Sequence, residues 1–202
     1  MKPIFVPLTL ALALASAGTP ACLAQTAPAA PPSTRPAAPP ADPYAGILGP
    51  EVKVLGYSVR PPKDYTPSPM PFHDQKRRDF AWQGALHQDG YVTTFVVGIT
   101  RISTPEPNPE KEFMIGVFKG LARTLASPAM SASQAGTVGG LPAQRATWTG
   151  ILVTPHSRLN IQGFIYIVRD GSILIAISGT DSVPSFTSTF PPLNSAALSF
   201  HK

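Results

Sequence analysis

The sequence predicts an α+β domain, an antiparallel sheet flanked by helices, with one long helix at about residues 109–126. Three observations predict it. Extended runs rich in β-branched residues lie on both sides of a single amphipathic stretch. Asp89-Gly90 and Asp170-Gly171 join neighbouring runs as hairpin turns. The proline excess, 25 of 202 residues, is densest between Pro28 and Pro43, which leaves the rest of the chain free to build a core.

Residues 1–24 have the three parts of a secretory signal peptide. Lys2 supplies the positive start, Ile4 to Ala15 the apolar run, and Cys22-Leu23-Ala24 the small-residue exit, which places cleavage between Ala24 and Gln25. The apolar run is shorter than the roughly 20 residues a spanning helix needs, and Pro7 interrupts it. In a competing reading, Cys22 is the lipidated first residue of a lipoprotein. Thr19-Pro20-Ala21 is a poor match to the residues such a site favours. Residues 25–46 form an Ala/Pro-rich disordered linker with no apolar face to bury, and a single domain is expected over 47–202.

Within the domain, Val52 to Val59 reads as a strand stopped by Pro61-Pro62, followed by a proline-rich loop. Phe80 to Leu86 and Tyr91 to Ile102 flank Gln88-Asp89-Gly90, and the second arm is apolar on both faces, so each face calls for a cover. Asn108 suits a helix cap, Pro109 the first helical position, and Glu110 and Glu112 the positive end of the helix. Phe113, Met114, Val117, Phe118, Leu121 and Leu125 recur at helical spacing. Ser127 to Ala135 reads as a small-residue loop, Thr137 to Ala143 as a short turn-linked strand, and Gln144 to Leu152 as a longer one. Arg158 to Val168 and Ser172 to Ser178 form the clearest hairpin. With three prolines after Val183, only Leu193 to Phe200 is expected to form a short helix or a last strand.

The order of these elements resembles the PsbP-like superfamily. The resemblance rests on the early strand ending in Val59-Arg60-Pro61-Pro62, the mid-chain helix and Gly140-Leu141-Pro142-Ala143 before a strand. The hairpin through Gly171 and the terminal Leu198-Ser199-Phe200 complete it, so that it spans nearly all of 52–200. It implies an α/β/α sandwich and accessory or binding roles, and it transfers no catalytic residue because the superfamily has no shared active site. Where members place a Trp soon after the early Pro, Lys63-Asp64-Tyr65 stands here, with Tyr65 as the aromatic substitute.

The composition, 43% hydrophobic and 13% charged with one Cys, excludes a collagen, a coiled coil, a disulfide scaffold and a multidomain enzyme. His73, His87, His156 and His201 show no metal-ligand spacing, and His73-Asp74 reads as loop surface, so no metal site is assigned. Ser178-Gly179-Thr180-Asp181-Ser182 follows a strand without a clear helix behind it and reads as a turn in which Asp181 and Ser182 bond nearby amides. No phosphate loop is present, and neither catalytic residues nor cofactors are assigned.

The one basic run is Lys76-Arg77-Arg78, a candidate contact for an anionic lipid headgroup, a cell-surface polymer or an acidic partner, with a solvated loop as the plainer account. Loss of the signal would remove only Lys2, leaving 15 basic residues against 11 acidic, which with export argues against nucleic acid. The expected function is therefore an exported, secreted or periplasmic, non-catalytic accessory or interaction module of the bacterial cell envelope. Two alternatives remain open at this point: a small envelope hydrolase with a site assembled from distant residues, and a peripheral membrane binder acting through Lys76 to Arg78. A His beside a carboxylate in a cleft would favour the enzyme; an apolar groove or open sheet edge would favour the module.

Overall fold

The computed structural model describes residues 46–69, 77–102 and 108–202. The signal peptide, its cleavage site, Cys22 and nearly all of the linker lie outside the described residues, as do His73, Asp74 and Lys76. The early apolar run is two short strands, β1 (Val52–Val54) and β2 (Tyr57–Val59), rather than one. Leu55 and Gly56 make the turn between them with φ of 51° and 88°, the paired positive angles of a type I′ hairpin loop.

The main sheet has eight strands. In chain order they are β3 (Thr66–Ser68), β4 (Arg77–Leu86), β5 (Val92–Arg101), β6 (Leu125–Met130), β7 (Gln134–Val138), β8 (Leu141–Val153), β9 (Arg158–Asp170) and β10 (Ile173–Ser182). Helix α1 (Pro109–Ala122) precedes β6, and α2 (Val183–Leu198) follows β10. The spatial order is β3-β4-β5-β10-β9-β8-β6, all antiparallel, with β7 pairing β8 beyond the end of β6.

Both faces of the sheet are covered, as the apolar residues on both sides of β5 require. On one face Phe95, Val97, Phe164, Tyr166, Ile175 and Ile177 pack with Phe186 and Leu193 of α2 and with Val54 and Tyr57 of the small hairpin. On the other, Ala146, Ile165, Ile167, Leu174 and Ala176 pack under Met114 of α1. Ile165 and Ile167 therefore lie opposite to Ile175 and Ile177, because the register pairs Ile177 with Tyr166 and Ala176 with Ile167. Tyr65 does pack against the α2-side core, with its ring lying on Gly84.

Several local expectations need revision. α1 ends at Ala122 rather than Ala126, and the stretch read as a small-residue loop holds β6, whose register shifts between Ala126 and Ala129. Ser127, at φ 48°, and Pro128 sit in that bulge, where an edge strand tolerates a missing donor. Asn108 does occupy the cap position of α1, but its side chain makes no capping bond. Glu110 instead faces Arg169 at 3.6 Å.

The larger revision is α2. It runs through Pro191 and Pro192, which the sequence reading took as breakers. Pro184 sits in the first turn, where no donor is lost, and Phe186, Phe190, Leu193 and Ala197 follow one another down a single face. Phe190 meets the ring of Phe164 edge-on at 5.8 Å, and Leu193, Ala196 and Ala197 are fully buried. Burial of that face outweighs the two lost donors, and Pro191 is on the exposed side.

A strap closes the domain at its C-terminus. Ser58 and His201 exchange backbone hydrogen bonds of 2.8 and 3.0 Å, and Phe200 stacks on Tyr57 at 5.1 Å. The Tyr57 hydroxyl and Lys202 Nζ both donate to Asp170 Oδ2 at 2.8 Å. Burial, then the Asp170 bond, raises the Tyr57 phenol to about 12. Burial also raises Tyr65 to about 12 and Tyr91 well above its ordinary value. Groups raised in the folded state contribute stability in full below the ordinary value of 10 and lose it as pH climbs through about 12. In a Tyr44→Phe chain, which removes the linker tyrosine, phenolate absorbance at 295 nm is thus expected to appear together with unfolding in an alkaline titration. Tyrosines ionising near pH 10 with the fold intact would contradict it.

Candidate interaction groove

α1 packs chiefly on β6, β8, β9 and β10, and a space remains between it and the start of β4. A groove of about 360 Å³ runs there, lined by Arg77 on one side and by Phe113, Gly116, Val117, Gly120 and Leu121 of α1 on the other. Gly116 and Gly120 stand one helical turn apart, both exposed, and a Cβ at either would meet nothing within 4 Å. They lower the wall of the groove and leave the helix backbone open to close approach there.

Arg77 is fixed by an ion pair from its Nε to Asp79 Oδ1 at 2.7 Å. The pair lies over Gly98 of β5, where an added Cβ would run into Asp79 and come within 3.1 Å of the Arg77 guanidinium. Arg77 stays 39% exposed, enough to keep donors available to a ligand in the groove. Arg77 and Arg78 open β4 instead of lying in a loop, and as neighbours on a strand they point to opposite faces. The basic run is thereby split. Arg77, paired with Thr100, borders the groove, while Arg78, paired with Ile99, is exposed on the α2 side of the edge. β3 pairs only with Ala81 to Gln83, so the described part of β3 leaves Arg77 to Phe80 as sheet edge, where charges also guard against unwanted strand addition.

The structure also brings together a pair that sequence reasoning missed. His87, in the β4–β5 loop, places Nε2 3.1 Å from Asp181 Oδ1 and 2.7 Å from Thr93 Oγ1. Asp181 is fully buried; its Oδ1 accepts the Ser182 N–H at 2.7 Å and its Oδ2 the Thr189 hydroxyl at 2.7 Å. The turn expected over Ser178 to Ser182 is the end of β10, and α2 begins at once behind it. The positive end of that helix, with these donors, is what makes a buried carboxylate tolerable. No spacing could reveal the pair, since β5 and β10 bring it together only in the folded sheet.

The arrangement resembles a Ser-His-Asp relay in composition but not in geometry. A relay needs the carboxylate on one imidazole nitrogen and the nucleophile on the other. Here both Asp181 and Thr93 sit on Nε2, and Thr93 is 1% exposed, so a substrate carbonyl has no approach to it. The cluster is a hydrogen-bonded polar core at the β10–α2 junction, with the Ser182 hydroxyl beside it buried and unpaired. Among the described residues, no three His, Cys, Asp or Glu side chains gather as metal ligands, and no helix is long and apolar enough to cross a membrane.

No protein-family model matches the chain, and no curated protein matches it in sequence. Solved structures do match. The solution structure of cyanobacterial PsbP (CyanoP) from Synechocystis aligns with a TM-score of 0.56 at 10% identity, over 77% of this chain and 92% of that one. LpqN, described as involved in cell envelope biogenesis of Mycobacterium tuberculosis, aligns at 0.51 and 12% identity, over 72% and 82%. The Ran-binding protein Mog1p of Saccharomyces cerevisiae aligns at 0.51 and 11%, over 77% and 95%. The chain has the PsbP-like fold, as the order of its sequence elements implied.

Proposed function

We propose that this chain is an exported, non-catalytic accessory module of the bacterial cell envelope. It docks an apolar, acid-bearing segment of another envelope protein in the groove between α1 and β4. The observation that carries the reading is the groove: Phe113, Val117 and Leu121 supply apolar wall, Gly116 and Gly120 close approach, and Arg77 a cation for the partner's acid. The leader and Ala/Pro tract fit export and reach, with cleavage after Ala24 freeing the module and lipidation at Cys22 tethering it. LpqN, involved in cell envelope biogenesis, and Mog1p, a Ran-binding protein, are precedents for such roles on this fold.

The helix itself offers a test. Gly116→Ala and Gly120→Ala are each expected to stabilise the fold, by up to about 1 kcal/mol, because neither added methyl meets a neighbour. The same changes fill the groove and are expected to weaken co-purification of the partner from gently solubilised envelope. A Gly120→Trp variant should abolish it, whereas Ser185→Trp on α2 should leave it unchanged. Equal recovery with all variants would overturn the reading. Vesicles containing anionic lipid test the membrane alternative: co-sedimentation lost in a Lys76→Ala/Arg77→Ala/Arg78→Ala variant would favour a lipid surface over a protein partner.

A further inference from the structure

A second site stands on the opposite side of the sheet, at Arg145. Arg145 is the only charged residue of β8, and neither β7 nor α2 carries any charge. Its guanidinium lies 5.6 Å from the ring centre of Tyr166, its cross-strand neighbour, and 5.6 Å from that of Phe190 on α2. No carboxylate pairs with it among the described residues, and its Nε is buried without a hydrogen-bond partner. Two aromatic faces stabilise the charge but accept none of its in-plane N–H bonds. A buried donor left so costs about 1–3 kcal/mol, which a purely structural residue such as Leu would avoid.

Beside it is a pocket of about 300 Å³ lined by Ser131, Gln134, Arg145, Ala146 and Thr147, at the break where β6 ends and β7 begins. Gln134 is the cross-strand partner of Arg145, and Thr147 follows two residues along β8, so both share its face. The Thr147 N–H is already taken by Ser131 Oγ at 3.0 Å, which leaves the exposed Gln134 amide, the Thr147 hydroxyl and the guanidinium edge as side-chain donors. Tyr166 is held in place from behind by its hydroxyl bond to Asn194 Oδ1 at 2.8 Å.

We propose that Arg145 and Gln134 form a binding site for a small organic carboxylate, the anion meeting the free edge of the guanidinium. The planar fork decides the class: its parallel N–H groups match the two oxygens of a carboxylate, whereas the rings of Tyr166 and Phe190 accept none of them. The site is independent of the α1 groove.

The test uses the full domain and acetate, benzoate and inorganic phosphate as probes, followed by the NMR signal of the Arg145 Nε–H and by thermal midpoint. A saturable shift with the carboxylates and a rise in midpoint are expected, with phosphate weaker. Arg145→Lys keeps the charge but not the fork and should bind about tenfold more weakly or worse. Gln134→Glu places a carboxylate opposite Arg145 on the neighbouring strand; it should raise the midpoint by itself and abolish binding of added carboxylate. Because that variant needs no loss of Arg145, it keeps the test valid if Arg145 variants fold poorly. Absence of a saturable shift in the unmodified chain, or undiminished carboxylate binding by Gln134→Glu, would overturn the proposal.

Discussion

Gly139→Ala is expected to destabilise the domain by about 3 kcal/mol or more. Gly139 and Gly140 form the two-residue turn between β7 and β8, with φ of 56° and 77°. A methyl on Gly139 would collide with the Phe200 carbonyl and lie 2.9 Å from the His201 Cα. Both obstacles are backbone, which cannot swing aside as a side chain can. Displacing them breaks the two hydrogen bonds between His201 and Ser58 and loosens the small hairpin from the core. Gly140→Ala provides the control, since its Cβ would meet nothing within 4 Å and only the left-handed backbone penalty of about 1–2 kcal/mol applies. Urea unfolding of the two variants separates the collision from the dihedral cost. Equal losses would mean that the C-terminal strap does not hold the turn.

The second large effect is expected at Asp181. Asp181→Ala leaves the buried Ser182 N–H without its acceptor, takes from the Thr189 hydroxyl the shortest of its acceptors, and leaves His87 without its carboxylate. A loss of about 3 kcal/mol follows from stranding these groups. Asp181→Asn keeps one acceptor oxygen for Ser182 N–H, and the Thr189 hydroxyl can turn to accept from the new amide, so much of the stability should return. If the cluster were built for chemistry instead, its removal would stabilise the fold, as release of a strained functional site often does. A higher midpoint for Asp181→Ala would therefore contradict the structural role assigned to it.

Much of the fold was legible because its signals are local. Asp89-Gly90 and Gly171 mark hairpins through the need for positive φ, although the second loop is Gly171-Ser172, with Asp170 already paired to Ile173. Pro109 and the Phe113 to Leu121 stripe located α1 in the same way. α2 was not legible: its prolines argue against it locally, and only the inward face of Phe186, Phe190 and Leu193, which depends on Phe164 being present across the sheet, sustains it. β6 was hidden for the same kind of reason, since Ser127 and Pro128 read as breakers until β8 is there to pair with.

Of the candidate site, the sequence supplied Arg77 through its place in a basic run but not its partners. The groove arises from α1 lying chiefly over β6, β8, β9 and β10, a choice made by packing. Gly116 and Gly120 were not singled out from the sequence, although two helix-weakening residues on one exposed face are a signal that the face serves something other than stability. His87 with Asp181, and Arg145 with Gln134, come from strand neighbours that no periodicity reveals.

The docking claim is tested most directly by a photoreactive residue placed at Gly120, with another at Ser185 on α2 for comparison, crosslinked in the intact envelope and read by mass spectrometry. The account predicts one protein partner joined at position 120 through an apolar segment carrying an acidic residue, with Arg77→Ala reducing the yield and position 185 giving none. Crosslinks at 185 in place of 120, or yields at 120 that Arg77→Ala and groove filling leave unchanged, would contradict it.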